Sequence, residues 1–305
     1  MLVMVLGTLA APVRAQVPEP EMSPLVAGLE VIAKTPGPAL WRISRGDSKV
    51  VVLGTVSPIL HQLTWNAAPL RRQLTGARQL LVPSRPTGMA KAMLAFTFRD
   101  RARLRVDTDS PLSQRLPPEM AARFAVDAAA VHQPMSKYDR WKPTLAGLML
   151  LDDFDKAAGL SRGKPIITVT RLAGKMGVPV MSAGKVDVAA VLKDGTKLSD
   201  TQQIACLATL LEQLERLAGA PGALGRAWAK ADLRAVNRLY TPRVLQDCPL
   251  LKPLLDRAVD ETAALVERAL QSPGRSVAVI DMSLLLRPEG VLDRLSAAGA
   301  RVDAP

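Results

Sequence analysis

Along the chain, apolar and polar positions alternate between two periods, and the strongest signal lies early. Val50 to Leu53 is an unbroken apolar run rich in β-branched residues, and Gly54 interrupts it, the pattern of a buried strand that closes at a tight turn. Upstream, Trp41-Arg42-Ile43-Ser44 reads as a partner strand, with Gly46-Asp47 as the hairpin signal between the two. Trp65 to Leu74 has helical spacing, with Pro69 in its first turn, and Leu80 to Val82 is a second short apolar strand closed by Pro83. A helical arm is expected from about Met89 to Leu104. Pro117-Pro118-Glu119 opens a helix that continues from Met120 to Val131, and Trp141 to Asp152 forms another.

In the second half, Gly163 to Val169 reads as a loop and strand, Thr170 to Met176 as a short helix, and Gly177 to Met181 as a buried strand after a C-capping glycine. Asp200 to Leu217 is the clearest helix, because Ile204, Leu207, Leu211 and Leu214 trace one side. Helices are expected at Trp228 to Leu239 and at Asp256 to Leu270, the latter ended by Pro273-Gly274. A strand at Ser276 to Ile280, a helix at Pro288 to Ala298 and a turn into a short strand at Gly299 to Val302 follow. Strand, helix and strand at the end of the chain point to an α/β fold, α+β being the other option, whose sheet includes Val50 to Leu53.

Composition narrows the picture. The 305 residues are 48% hydrophobic and 22% charged, which excludes a disordered chain and a multi-span membrane protein. Only 3% are aromatic, so the core must be aliphatic. The formal charge of +12 comes from dispersed basic residues, and the densest cluster, Arg99 to Arg105, is too short for a nucleic-acid footprint. No specific nucleic-acid partner is expected. Met1 to Pro12 is almost wholly apolar, and Val13-Arg14-Ala15 places small residues where a signal peptidase cuts. Residues 1–15 are therefore expected to be a signal peptide, a buried first strand being the other reading. No later segment is long and apolar enough to span a bilayer. The mature chain is expected in the periplasm or secreted, with an irregular lead-in at 16–37 and one domain at 38–305. Cys206 and Cys248 are too far apart for a zinc knuckle; they form one disulfide in an oxidising compartment, or remain two buried thiols.

Candidate chemistry is sparse. The corner after Val50 to Leu53 offers Thr55, Val56 and Ser57, none of them a strong metal ligand or a base at neutral pH. His61 and His132, the two histidines of the chain, belong to no paired motif. Ser57 lacks the GxSxG elbow, with His61 as the nearest base, and capping of the next turn explains its hydroxyl. Gly54 would permit close approach of a ligand to the backbone, but no phosphate-cradling glycine motif follows any strand.

Several segments together resemble the TraB/GumN family of exported and membrane-associated proteins. They are Ala39-Leu40-Trp41-Arg42, Val52-Leu53-Gly54-Thr55, Leu63-Thr64-Trp65, Lys142-Pro143, Gly163-Lys164-Pro165, Cys206-Leu207, Cys248-Pro249 and the terminal Gly290-Val291-Leu292. The resemblance implies a central mixed sheet flanked by many helices, with both ends of the chain in one core and a helical insertion at about 89–160. In that family a Gly-x-x-His turn stands near each end of the domain, glutamates follow neighbouring strands, and some relatives are metal-dependent proteases. Here Gly54-Thr55-Val56-Ser57 puts Ser57 at the first histidine position, and Ile280-Asp281-Met282-Ser283 puts Ser283 at the second. The acidic positions fall on Pro83 and near Ala183-Gly184. A neutral hydroxyl binds a divalent metal poorly and proline offers no side-chain donor.

The resemblance, with these losses, implies a scaffold without metal or other cofactor. Such a protein would bind a peptide, a protein or an envelope polysaccharide through the old cleft. The alternative is a hydrolase with a rearranged site, drawing on Asp281 and Arg257, with Asp256 and Asp260 one helical turn apart. Ion pairing with basic neighbours is the simpler account of those acids.

Overall fold

A computed structural model describes residues 37–88, 90, 94, 101–107, 109–239 and 247–305. The expected signal peptide and lead-in up to Pro36, and most of the arm expected from Met89, lie outside these residues; the arm's last turn, Arg101–Leu104, is helical.

The β-branched run builds the centre of the sheet. Strands β1 (Leu40–Arg45) and β2 (Ser48–Thr55) form the hairpin expected at Gly46-Asp47, antiparallel, with Leu40 opposite Leu53. β3 (Ile59–Leu60) follows, then β4 (Leu80–Val82), β5 (Arg85–Thr87), β6 (Leu160–Ser161), β7 (Val180–Ser182), β8 (Lys185–Asp187), β9 (Gly274–Asp281) and β10 (Arg301–Asp303). The main sheet is mixed and six-stranded, in the order β10-β1-β2-β9-β4-β7. β2, β9, β4 and β7 run parallel, while β1 is antiparallel to both of its neighbours. Val50 to Leu53 and Val277 to Ile280 are buried on both faces, as interior parallel strands require. Trp41 and Ile43 alternate with the more exposed Arg42 and Ser44, as befits a strand with one covered face. Strands from the two ends of the chain thus lie side by side.

Helices α1 (Ala68–Leu74), α2 (Pro118–Ala130), α3 (Pro143–Ala157), α4 (Lys164–Lys175), α5 (Val188–Gly195) and α6 (Asp200–Gly219) occupy the middle of the chain. α7 (Ala223–Ala229), α8 (Leu233–Leu239), α9 (Leu251–Leu270), α10 (Met282–Leu285) and α11 (Val291–Ala297) complete the set used below. Two apolar clusters form. One surrounds the main sheet, and the other is helical, joining Phe124, Tyr138, Leu150 and Phe154 to Leu207, Leu210 and Leu214 of α6. α3 and α6 approach closely at Gly147, where a Cβ would stand 2.8 Å from a Leu207 methyl. Ser199 and Gln202 form a reciprocal capping box that starts α6.

Several boundaries differ from the periodicity reading. The single helix expected at Trp228 to Leu239 is two helices, because Ala231 turns with φ 57° and Asp232 caps the second through Ala235 N at 2.9 Å. The loop and strand expected at Gly163 to Val169 is the first half of α4. Pro165 opens that helix, and the buried Pro165, Val169 and Ala173 recur every four residues, so helical spacing overrides the β-branched run. α1 begins at Ala68 rather than Trp65, and α9 begins at Leu251, a turn early, because a proline in the first turn lacks only an N–H with no intrahelical partner. Cys206 and Cys248 are joined in a disulfide that ties α6 to the approach to α9. Among the described residues no helix is long and apolar enough to cross a membrane.

Candidate functional site

Four strand ends meet along one side of the main sheet. β2 and β9 pair in parallel with Gly54 opposite Ile280 and Thr55 opposite Asp281, so their following turns leave the sheet together. β4 and β7 do the same, with Val82 opposite Ser182. The carboxyl ends of parallel strands are where an α/β sheet places ligands.

At the first pair of ends stand Ser57 and Ser283. The Ser57 hydroxyl donates to the Arg162 carbonyl at 3.1 Å, not to His61, whose side chain is exposed. Pairing of β3 with β6 brings residue 162 there. Asp281 caps α10, and its Oδ1 accepts from both the amide of Ser283 at 2.8 Å and its hydroxyl at 2.7 Å. Both serines line one cavity of about 70 Å³, together with Arg162, Gln213, Arg216 and a leucine wall. Gly54 does not open space for a ligand as the sequence suggested. A Cβ there would lie 2.5 Å from the Trp41 ring, so the glycine admits that indole. The Gly54 carbonyl accepts from the buried Trp228 Nε1 at 2.7 Å.

At the second pair of ends the chain supplies Pro83 and Ala183-Gly184, but the space is taken by a carboxylate from α9. A Cβ on Gly184 would meet Glu261 Oε2 at 2.5 Å. Glu261 accepts a short hydrogen bond from Ser84 and another from Arg257 at 2.7 Å. Burial pushes its carboxyl up, the bonds from Ser84 and Arg257 outweigh that, and the group sits below the ordinary glutamate value. Ser84, Arg257 and Glu261 line a second cleft with Asp187.

The other acids of α9 are engaged elsewhere. Asp256 accepts from Lys252 and Arg287, both at 2.8 Å, and its carboxyl is lowered chiefly by the Lys252 bond. Asp260 pairs with Arg294. Asp281 lies at the first corner and Arg257 lines the second cleft, so these two candidates fall on different strand pairs.

Three residues carry the site without having been singled out by the sequence: Arg162, Asp155 and Glu261. Asp155 ends a helical turn and Arg162 follows a two-residue strand, so neither stands in a motif. The Asp155 side chain is only 9% exposed and pairs with Nε of Arg162. Burial raises its carboxyl and the Arg162 charge opposes that rise. Glu261 lay one turn from Arg257, a spacing that reads as a surface ion pair.

This donor set does not fit a divalent metal. The two serine hydroxyls are neutral and already donating, and the ionisable groups lining their cavity, among the described residues, are the guanidiniums of Arg162 and Arg216, which have no lone pair to give a metal and are themselves paired with Asp155 and Glu212. Glu261 is neutralised by Arg257. Among the described residues no three His, Cys, Asp or Glu side chains converge on a point that could hold a metal ion. Among curated proteins and among solved structures, nothing matches this chain. A family pattern does match residues 39–304, from the first strand of the hairpin to the last strand of the sheet. The chain belongs to the TraB/PrgY/gumN family.

Proposed function

We propose that this protein is an exported, catalytically degenerate family member that acts in the bacterial envelope as a binding or accessory protein, holding its partner in the cleft at the serine corners. One observation carries the reading. The two turns adjoin at one cavity, as a shared metal site would need, yet each offers a committed hydroxyl beside arginine. Without a bound metal no water is acidified to attack a peptide carbonyl. The scaffold around the cavity persists: the buried strands and the Trp41 and Trp228 contacts to Gly54 hold the corner rigid. The partner is a peptide, a protein or an envelope polysaccharide. A hydrolase rebuilt on Asp281 is less well supported, since that carboxylate caps a helix and binds Ser283.

Elemental analysis of the purified, dialysed protein tests the proposal. The expected result is no stoichiometric zinc, manganese or cobalt. About one tightly held ion per chain, lost on changing Ser57→Ala and Ser283→Ala, would overturn it.

A further inference from the structure

We propose that the cavity between the serine corners receives the free C-terminal carboxylate of a peptide whose last side chain is a compact aliphatic one. This deepens, and rests on, the binding reading above. The ionisable side chains among the described residues lining the cavity are Arg162 and Arg216. Arg162 meets Asp155 through Nε, and that pair leaves the two-Nη end of the guanidinium unspent, the end that takes a carboxylate in a fork. Asp155 is nine-tenths buried, with its Oδ1 lacking a partner, so the arginine is anchored by a carboxylate that cannot swing to solvent. Ser57 and Ser283 each spend their one hydroxyl proton on the protein, on the Arg162 carbonyl and on Asp281. What a hydroxyl offers once its proton is spent is a lone pair, an acceptor for an N–H.

The polar side of the cavity thus combines a carboxylate receptor with amide acceptors, the two groups that flank the last residue of a peptide. The same lining includes an apolar set, Leu151, Leu160, Leu217, Leu224 and Leu255. Size selects the side chain. About 70 Å³ is half of the roughly 150 Å³ that accommodates benzene, which favours a compact branched aliphatic side chain over an aromatic one.

Isothermal titration of the full chain tests this with four probes: acetyl-Ala-Ala-Leu as the free acid, the same peptide as its C-terminal amide, acetyl-Ala-Ala-Asp, and octanoate. The free acid is expected to bind saturably. The amide, the aspartate peptide and octanoate should each bind about tenfold more weakly or worse, and Arg162→Gln should weaken the free acid by a similar factor. Because Arg162→Gln leaves Asp155 buried without its ion pair, the double change Asp155→Asn with Arg162→Gln serves as the folded control and should show the same loss. Equal binding of the amide, binding of octanoate as tight as the peptide acid, or an unchanged affinity in the double variant would overturn the assignment. No binding by any probe, with the peptide recovered intact, would overturn it and leave the degenerate reading standing. Cleavage of the peptide, read by mass spectrometry, would overturn both.

Discussion

The two pairs of strand ends on the main sheet differ in what they could offer a metal. At the β2–β9 end stand neutral hydroxyls, fixed by an Asp281 cap and an Arg162 carbonyl. At the β4–β7 end a carboxylate is still present, but it comes from a helix, and Arg257 and Ser84 occupy its oxygens. One corner lacks donors and the other has a donor that is spent. The first corner is built from residues next to their own strand ends, whereas the second depends on Glu261, 177 residues beyond Ser84.

The largest expected effect breaks the first corner outright. Gly54→Ala drives a Cβ into the Trp41 ring and toward Met282, and should cost about 3 kcal/mol in chemical denaturation, since overpacking a closed core has few escapes. A change below about 1 kcal/mol would mean that Trp41 is not confined there. Next, the comparison can be sharpened by restoring donors. Ser57→His combined with Ser283→His should raise zinc affinity about tenfold or more over the parent, while the matching change Pro83→Glu at the spent corner should not, as judged by competition with a chromophoric chelator. An equal gain from both would show that the corners do not differ in the way described.

Smaller effects come from pH. The Glu261 carboxyl is held below its ordinary value, so its contribution is complete above the unfolded-state pKa and is lost as pH falls through the folded one. Glu261→Gln should therefore cost about 1 kcal/mol near neutral pH and progressively less in urea melts as the pH is lowered into the acid range, most of its partner Arg257 being exposed. The helical cluster supplies the opposite sign. Burial, with the Glu215 charge across the α2–α6 contact, pushes Asp127 up to about 6, against the opposing charge of Arg123. Its folded value lies above the unfolded one, so its ionisation favours unfolding, and stability falls as pH rises between the two. Asp127→Asn should gain about 1 kcal/mol near pH 7.5 and little near pH 4, the discount reflecting its partial exposure. A loss at both pH values would mean that Asp127 Oδ2, buried without a hydrogen-bond partner, carries a contact beyond its charge.

The sequence made the sheet legible because β-branched runs between turn residues leave few alternatives. Val50 to Leu53, Leu80 to Val82 and Ser276 to Ile280 all became strands of one sheet. It also located Ser57 and Ser283 just beyond two strand ends, since those ends can be recognised locally. Helix boundaries were less legible where short-range chemistry outweighed periodicity, as at Ala231, whose left-handed turn no hydrophobic count reports. The pairing of Cys206 with Cys248 was one of two options from composition alone, and proximity in the fold decided it.

Local pattern by itself determined most of the strands and helices, and that hydroxyls follow the ends of two of those strands, because these follow from neighbours a few residues away. Only the tertiary structure decided that the two serines share one cavity, that Asp155 anchors Arg162 there, and that Glu261 fills the neighbouring corner. The first and last of those relations join residues about 230 and 177 positions apart in sequence and depend on a parallel register between strands from opposite ends of the chain. No periodicity encodes such a register, because it is set by the packing of the whole core against both faces of the sheet.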